Sequence, residues 1–255
     1  MNHIIAIANQ KGGVSKTTST IAIGGLLVEH QPCLVVDLDP QGNLTSGLGK
    51  EVVEGQRTIY DVITKRCQAS DAIVETASKL HLIPSDIGLA QGDRELLSTF
   101  EAHHFLKEQL APLMADYPFI LIDCPPSLGI LTYSALVAST SILVPVQCEF
   151  FSLKGLEQLL ETIGSVRKRA NPDLGILGIL PTMAQKTGMT EDTITSLKAL
   201  SEDTGIRIFD TVPRSINFAY SNLAGQPIHI FASKEKKLIK PYKQIANQLL
   251  QLVEA

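Results

Sequence analysis

Short, nearly continuous runs of Ile, Val, Leu and Ala punctuate this chain, separated by longer segments whose apolar residues recur at helical spacing. The runs are Ile4–Ala8, Cys33–Val36, Leu80–Ile83, Phe119–Ile122, Ile142–Val146, Leu174–Leu180 and Ile206–Phe209. Strands that alternate apolar and polar residues have one wet face, whereas unbroken runs mark parallel strands covered on both faces. The intervening segments predict helices at roughly 16–30, 89–114, 129–138, 153–170, 190–203 and 235–253. Strand and helix in alternation predict an α/β domain: a doubly wound, mostly parallel sheet with helices on both faces. The stretch 50–78 carries the weakest pattern, with one short helix expected near Ile59–Thr64. No Gly-, Pro- or Ser-rich linker and no repeat divides the chain, so residues 1–255 read as one domain.

Composition narrows the function classes. With 255 residues, 44% of them hydrophobic, the chain has enough apolar surface for a sizeable core. Lys and Arg total 22 against 26 Asp and Glu, a formal charge of −4. Bulk attraction to nucleic acid is therefore not expected, and any such binding must come from a local basic patch. Cys33, Cys67, Cys124 and Cys148 are widely spaced with no C-x-x-C pair, which speaks against a disulfide framework or zinc site and for reduced thiols. The N-terminus enters HIIAIA without a basic leader, and no apolar run reaches about 18 residues. The expectation is a soluble, cytoplasmic protein that does not enter a membrane.

The chemistry starts with NQKGGVSKTTST, residues 9–20, between the first predicted strand and helix. There a phosphate meets backbone N–H groups and the positive end of a helix dipole. Gly12 and Gly13 let the backbone turn and approach a ligand, Lys16 supplies a cation for terminal phosphates, and the Thr17 hydroxyl suits magnesium. The segment departs from G-x-x-x-x-G-K-[ST], having Gln10 and Ser15 where that pattern has glycine, and it carries an additional Lys11.

KGGVSKTT resembles the variant phosphate loop KGGVGKTT of the ParA/MinD ATPases. LVVDLDPQGNLTSGLG (34–49), FILIDCPPSLG (119–129), GILPTM (178–183) and DTVPRS (210–215) resemble further signatures of the ParA/Soj type, in register along nearly the whole chain. The resemblance implies a P-loop fold and an ATPase that uses ATP and Mg2+. It places Lys11, Gly12, Gly13, Val14, Ser15, Lys16, Thr17 and Thr18 on the nucleotide, with Pro213 and Ser215 beside the base. Lys11 would cross a homodimer interface to the partner's nucleotide, and Lys16 would act on the terminal phosphates of its own. Asp39 would position the attacking water. Asp37 would support the metal shell, and Asp123, with Thr17, would hold magnesium. A turn or helix-cap role stays open for Asp37 and Asp39. Ser15 stands where the family has glycine, and a positive φ there would strain the loop and slow turnover or weaken nucleotide binding.

The family's ATP dimers bind double-stranded DNA without sequence preference and respond to a ParB-like centromere-binding partner. The basic stretch SKEKKLIKPYK offers Lys234, Lys236, Lys237, Lys240 and Lys243, of which 236, 240 and 243 share one helical face. Lys186 resembles a DNA-contacting residue of the family, whereas Asn217 replaces a common arginine. A solvated helix face is the plain alternative. The implied function is chromosome or plasmid partition at the nucleoid; a nucleotide-binding regulator or a MinD-like positioning ATPase without efficient hydrolysis is the alternative. QIANQLLQLVEA lacks the basic anchor of MinD proteins, and Cys124 and Cys148 do not suit the cluster of a nitrogenase-type reductase.

Overall fold

A computed structural model describes residues 2–149 and 152–254. The chain runs β1 (His3–Ile7), α1 (Lys16–Leu27), β2 (Cys33–Asp37), α2 (Asn43–Gly47), α3 (Ile59–Ile63), β3 (Val74–Glu75), β4 (His81–Ile83), α4 (Leu89–Leu97) and α5 (Phe105–Leu110). It continues through β5 (Phe119–Asp123), α6 (Ile130–Ala138), β6 (Ser141–Gln147), α7 (Ser152–Arg169), β7 (Gly175–Thr182), α8 (Gly188–Thr204), α9 (Asn217–Leu223), α10 (Ile228–Phe231) and α11 (Lys236–Glu254). The strands form one sheet in the order β3-β4-β2-β5-β1-β6-β7. All pairings are parallel except that of β3 with β4. This is the doubly wound α/β architecture that the apolar runs predict.

The two-residue period of the strands sorts their side chains into two cores. Ile4, Ala6, Leu34, Val36, Ile120, Ile122 and Val144 face α3 to α7. Ile5, Ile7, Val35, Leu121 and Leu143 face α1, α10 and α11. Every residue of β2 and β5 is buried, which explains why these strands read as unbroken apolar runs. The short helix at Ile59 begins at a reciprocal cap: Thr58 Oγ1 accepts from the Tyr60 N–H, and Asp61 Oδ2 accepts from the Thr58 N–H.

Three expectations need correction. The predicted strand Ile206–Phe209 is not a strand of the sheet; it meets β7 at one bridge, Ile179 to Ile208, just after α8 ends at Gly205 with φ 71°. The predicted helix 89–114 is broken. Glu101 adopts φ 54°, and short 3₁₀ turns at Ala102–His104 and Ala111–Ala115 flank α5, because a left-handed residue cannot continue the i→i−4 ladder. The edge strand β3 was not expected; two residues are too few to show a period.

Candidate functional site

β1 lies between β5 and β6, and the helices that follow β1 and β5 cover opposite faces of the sheet, α1 on one and α6 on the other, so a crevice opens at the carboxyl ends of the strands. Register brings the site's carboxylates to that edge. Ile7 pairs with Asp123 across β1 and β5, and Asp37 pairs with Asp123 across β2 and β5. The loop leaving β1 turns at Gly13, φ 74°, and at Ser15, φ 70°, before α1 starts at Lys16. Asn9 pins the loop's entry: its Nδ2 donates to the Pro145 carbonyl at 2.7 Å and its Oδ1 accepts the Lys11 N–H at 3.0 Å. Thr182, at the end of β7, donates to the Val14 carbonyl at 3.1 Å. Neither Asn9 nor Thr182 was singled out from the sequence, since a lone polar residue beside an apolar run has no periodic signal.

A cleft of about 640 Å³ lies over the loop. Gly12, Gly13, Ser15, Lys16, Thr17, Thr18 and Asp39 line it, with Met183, Asn222 and Leu223 on the far wall. Lys16 is buried, and its ammonium donates to the Lys11 carbonyl at 3.2 Å. Burial lowers the Lys16 pKa, and the nearby Asp123, Cys124 and Asp39 oppose that shift. The Thr17 hydroxyl donates to Asp123 Oδ2 at 2.6 Å. The other oxygen, Oδ1, is buried without a hydrogen-bond partner. Burial, then the charge of Asp37, pushes the Asp123 carboxyl well above the usual range, against the Thr17 hydrogen bond and Lys16. A buried carboxylate oxygen without a donor beside a hydroxyl suits a hard divalent cation that keeps most of its water. Among the described residues no cluster of three or more His, Cys, Asp or Glu is poised to hold a metal ion, so a cation here would take much of its shell from phosphate and water.

Asp37 and Asp39 divide their work. Asp37 Oδ2 accepts from the Thr45 N–H at 2.8 Å and the Thr45 hydroxyl at 2.7 Å, while Oδ1 accepts the Asp39 N–H at 3.2 Å. Burial raises its pKa to about 6 in spite of those donors. Asp37 does not line the cleft; it orients Asp39, which does. Asp39 also accepts the Gln41 N–H at 3.0 Å, so a turn role and a place in the cleft coexist in one residue.

Lys11 points elsewhere. Its ammonium pairs with Glu149 Oε2 at 2.6 Å, and Gln147 donates to Glu149 Oε1 at 2.6 Å. Pro213 and Ser215 line an adjoining cleft of about 280 Å³ with Ser15, Thr18 and Asn222. The Ser215 hydroxyl accepts the Asn217 N–H at 3.2 Å, at the start of α9. The candidate DNA-contacting lysines do not line this cleft. Lys234, Lys236, Lys237, Lys240 and Lys186 are all exposed, and Lys236, Lys237, Lys240 and Lys243 surround a cleft of about 430 Å³ on α11.

Comparison with known proteins gives this arrangement a family. The model of an AAA domain family matches residues 2–176. The sporulation initiation inhibitor protein Soj of Bacillus subtilis is 40% identical over 240 residues, covering 92% of this chain and 94% of that protein. The chain belongs to the ParA/Soj family of P-loop ATPases. The chromosome partitioning protein ParA of Caulobacter vibrioides is 38% identical over 236 residues, covering 91% of this chain and 88% of ParA. A solved structure titled cobyrinic acid a,c-diamide synthase of Mycobacterium smegmatis, with bound ATP analog and magnesium, matches with TM-score 0.86 at 33% identity, over 100% of this chain and 97% of that one. The phosphate loop of this ParA/Soj-type chain is thus the variant kind, and the fold is that of P-loop NTPases. Among the described residues no helix is long and apolar enough to cross a membrane.

Proposed function

We propose that this chain is a Mg2+-dependent ATPase that works as a dimerising switch in chromosome or plasmid partition. It binds duplex DNA without sequence preference as an ATP dimer and is stimulated by a ParB-like partner. The observation that carries the nucleotide half is the pair Thr17–Asp123, with its free buried carboxylate oxygen, set beside the Lys16 ammonium at the start of α1. In this reading the loop and the N-terminus of α1 take the phosphates, Pro213 and Ser215 border the base, and Thr17 with Asp123 would hold the metal. Bound magnesium neutralises charge on the phosphates.

The chain's own residues then do three things. Lys16 places a desolvated cation at the phosphates, where charge is worth most. Asp39, held by Asp37, orients the attacking water from the cleft wall. Lys11, tied to Glu149 outside its own cleft, is available to the nucleotide of a second copy, where a cation on the departing phosphates stabilises developing charge. The family relatives, named for partitioning, support the cellular role. Exposed lysines on α11 support DNA contact, since phosphate binding needs concentrated cations and not net charge.

The test is isothermal titration with ATP and magnesium, followed by light scattering and a DNA gel shift with ATP and with ADP. The reading expects binding, an ATP-dependent rise in mass, and a shift of arbitrary duplex with ATP alone. Absence of heat would refute the nucleotide site. Binding without a DNA shift at low salt would leave a nucleotide-dependent regulator.

A further inference from the structure

The lysine face of α11 is not free throughout. Lys240 Nζ forms an ion pair with Asp210 Oδ2 at 2.7 Å. Asp210 opens the loop 210–215 that carries Pro213 and Ser215, and several bonds fix its position. Its N–H donates to Gln244 Oε1 of α11 at 3.1 Å. Before and after it, the Phe209 N–H donates to the Ile179 carbonyl and the Val212 N–H to the Pro181 carbonyl, at 2.9 and 2.8 Å. The loop is therefore stitched to β7 on one side and to α11 on the other. A cleft of about 410 Å³ lies where they meet, lined by Asp210, Thr211, Pro213, Lys237 and Lys240.

We propose that Asp210 masks the DNA-binding face by occupying Lys240 as an intramolecular stand-in for a backbone phosphate. The inference rests on the DNA-binding reading above and names how that surface is restrained. An ammonium whose charge a neighbouring carboxylate already offsets attracts a phosphodiester less strongly, so Asp210 and a DNA phosphate compete for the charge of Lys240. The pair is exposed, 76% at Lys240 and 42% at Asp210, so its own strength is small and its effect on DNA binding is partial. The mask weakens binding without abolishing it, which suits a protein that must release DNA.

The experiment is a gel shift of the ATP-loaded full chain on arbitrary duplex at 50 and 200 mM salt, comparing wild type, Asp210→Asn, Lys240→Gln and the double variant. Asp210→Asn should bind more tightly, by about fivefold at low salt. One added phosphate contact steepens the salt dependence by about 0.9 in log–log slope, so its advantage over wild type should be about threefold greater at 50 than at 200 mM. In the Lys240→Gln background the Asp210→Asn gain should disappear, because the masked cation is gone. A gain that persists in that background would show general charge removal and overturn the mask, as would no gain at all. If ATP-loaded wild type and Asp210→Asn both fail to bind DNA, the DNA-binding reading falls and the mask with it. Thermal unfolding of each variant checks that the fold survives.

Discussion

Ser15 offers a quantitative test of the loop. It is a non-glycine residue at φ 70°, ψ 29°, immediately before α1, and its side chain makes no capping hydrogen bond. An L-residue in that region carries roughly 1–2 kcal/mol of steric cost from its Cβ. Ser15→Gly removes the cost but frees the unfolded chain, which takes back about 0.5–1 kcal/mol. The net expectation is a gain of about 0.5–1 kcal/mol, or roughly 2–3 °C in Tm for a chain of this length. A loop that keeps this backbone around the phosphates carries the same cost in free and bound protein. Relief should therefore appear as stability, while ATP affinity changes by less than about twofold, a shift of under about 0.4 kcal/mol. Ser15→Ala is the control: it keeps the Cβ and loses only an unbonded hydroxyl, so its Tm should stay near wild type. Differential scanning calorimetry with and without ATP and magnesium reads all three. A Ser15→Ala gain equal to that of Ser15→Gly, or no gain in either, would refute the strain argument.

Lys16→Ala should reduce ATP affinity by about 100-fold, the worth of roughly two charged hydrogen bonds, in calorimetric titration, and an unchanged affinity would place the phosphates elsewhere. Asp39→Ala should leave ATP-dependent dimers intact in light scattering while turnover falls about 100-fold or more; equal turnover would remove it from the chemistry. Lys11→Ala breaks only an exposed pair with Glu149, which costs under about 1 kcal/mol, so the monomer should fold and bind ATP yet fail to dimerise. The raised pKa of Asp37 fixes a pH signature. Its folded value of about 6 lies above the ordinary 3.8, so burial of the charged form costs stability progressively as pH rises from about 4 through 6. Relative to wild type, Asp37→Asn should therefore gain about 2.4 kcal/mol between pH 4 and pH 7 in urea unfolding, whatever constant offset the lost Thr45 hydrogen bonds impose. A flat difference would mean that Asp37 is not perturbed.

The buried parallel strands and the phosphate loop are legible in the residues alone, because both rest on local rules. A strand buried on both faces must be apolar at every position, and β2 and β5 read that way. A tight approach to phosphate needs small residues, a lysine and a hydroxyl in consecutive order, and residues 11–18 supply them. Local rules fail where a residue's conformation answers to distant partners. Residues 206–209 have a strand's composition, but the chain brings only Ile208 into a bridge with β7. The 89–114 segment has helical spacing, yet Glu101 turns left-handed and breaks it. Asp37 and Asp39 are two residues apart and look equivalent in sequence. Only the packing of Thr45 against β2 makes one a buried support and the other part of the cleft wall. The pairings of Lys11 with Glu149 and Lys240 with Asp210 span 138 and 30 positions of chain. No periodicity records such contacts, because crossover connections and strand order set which side chains meet.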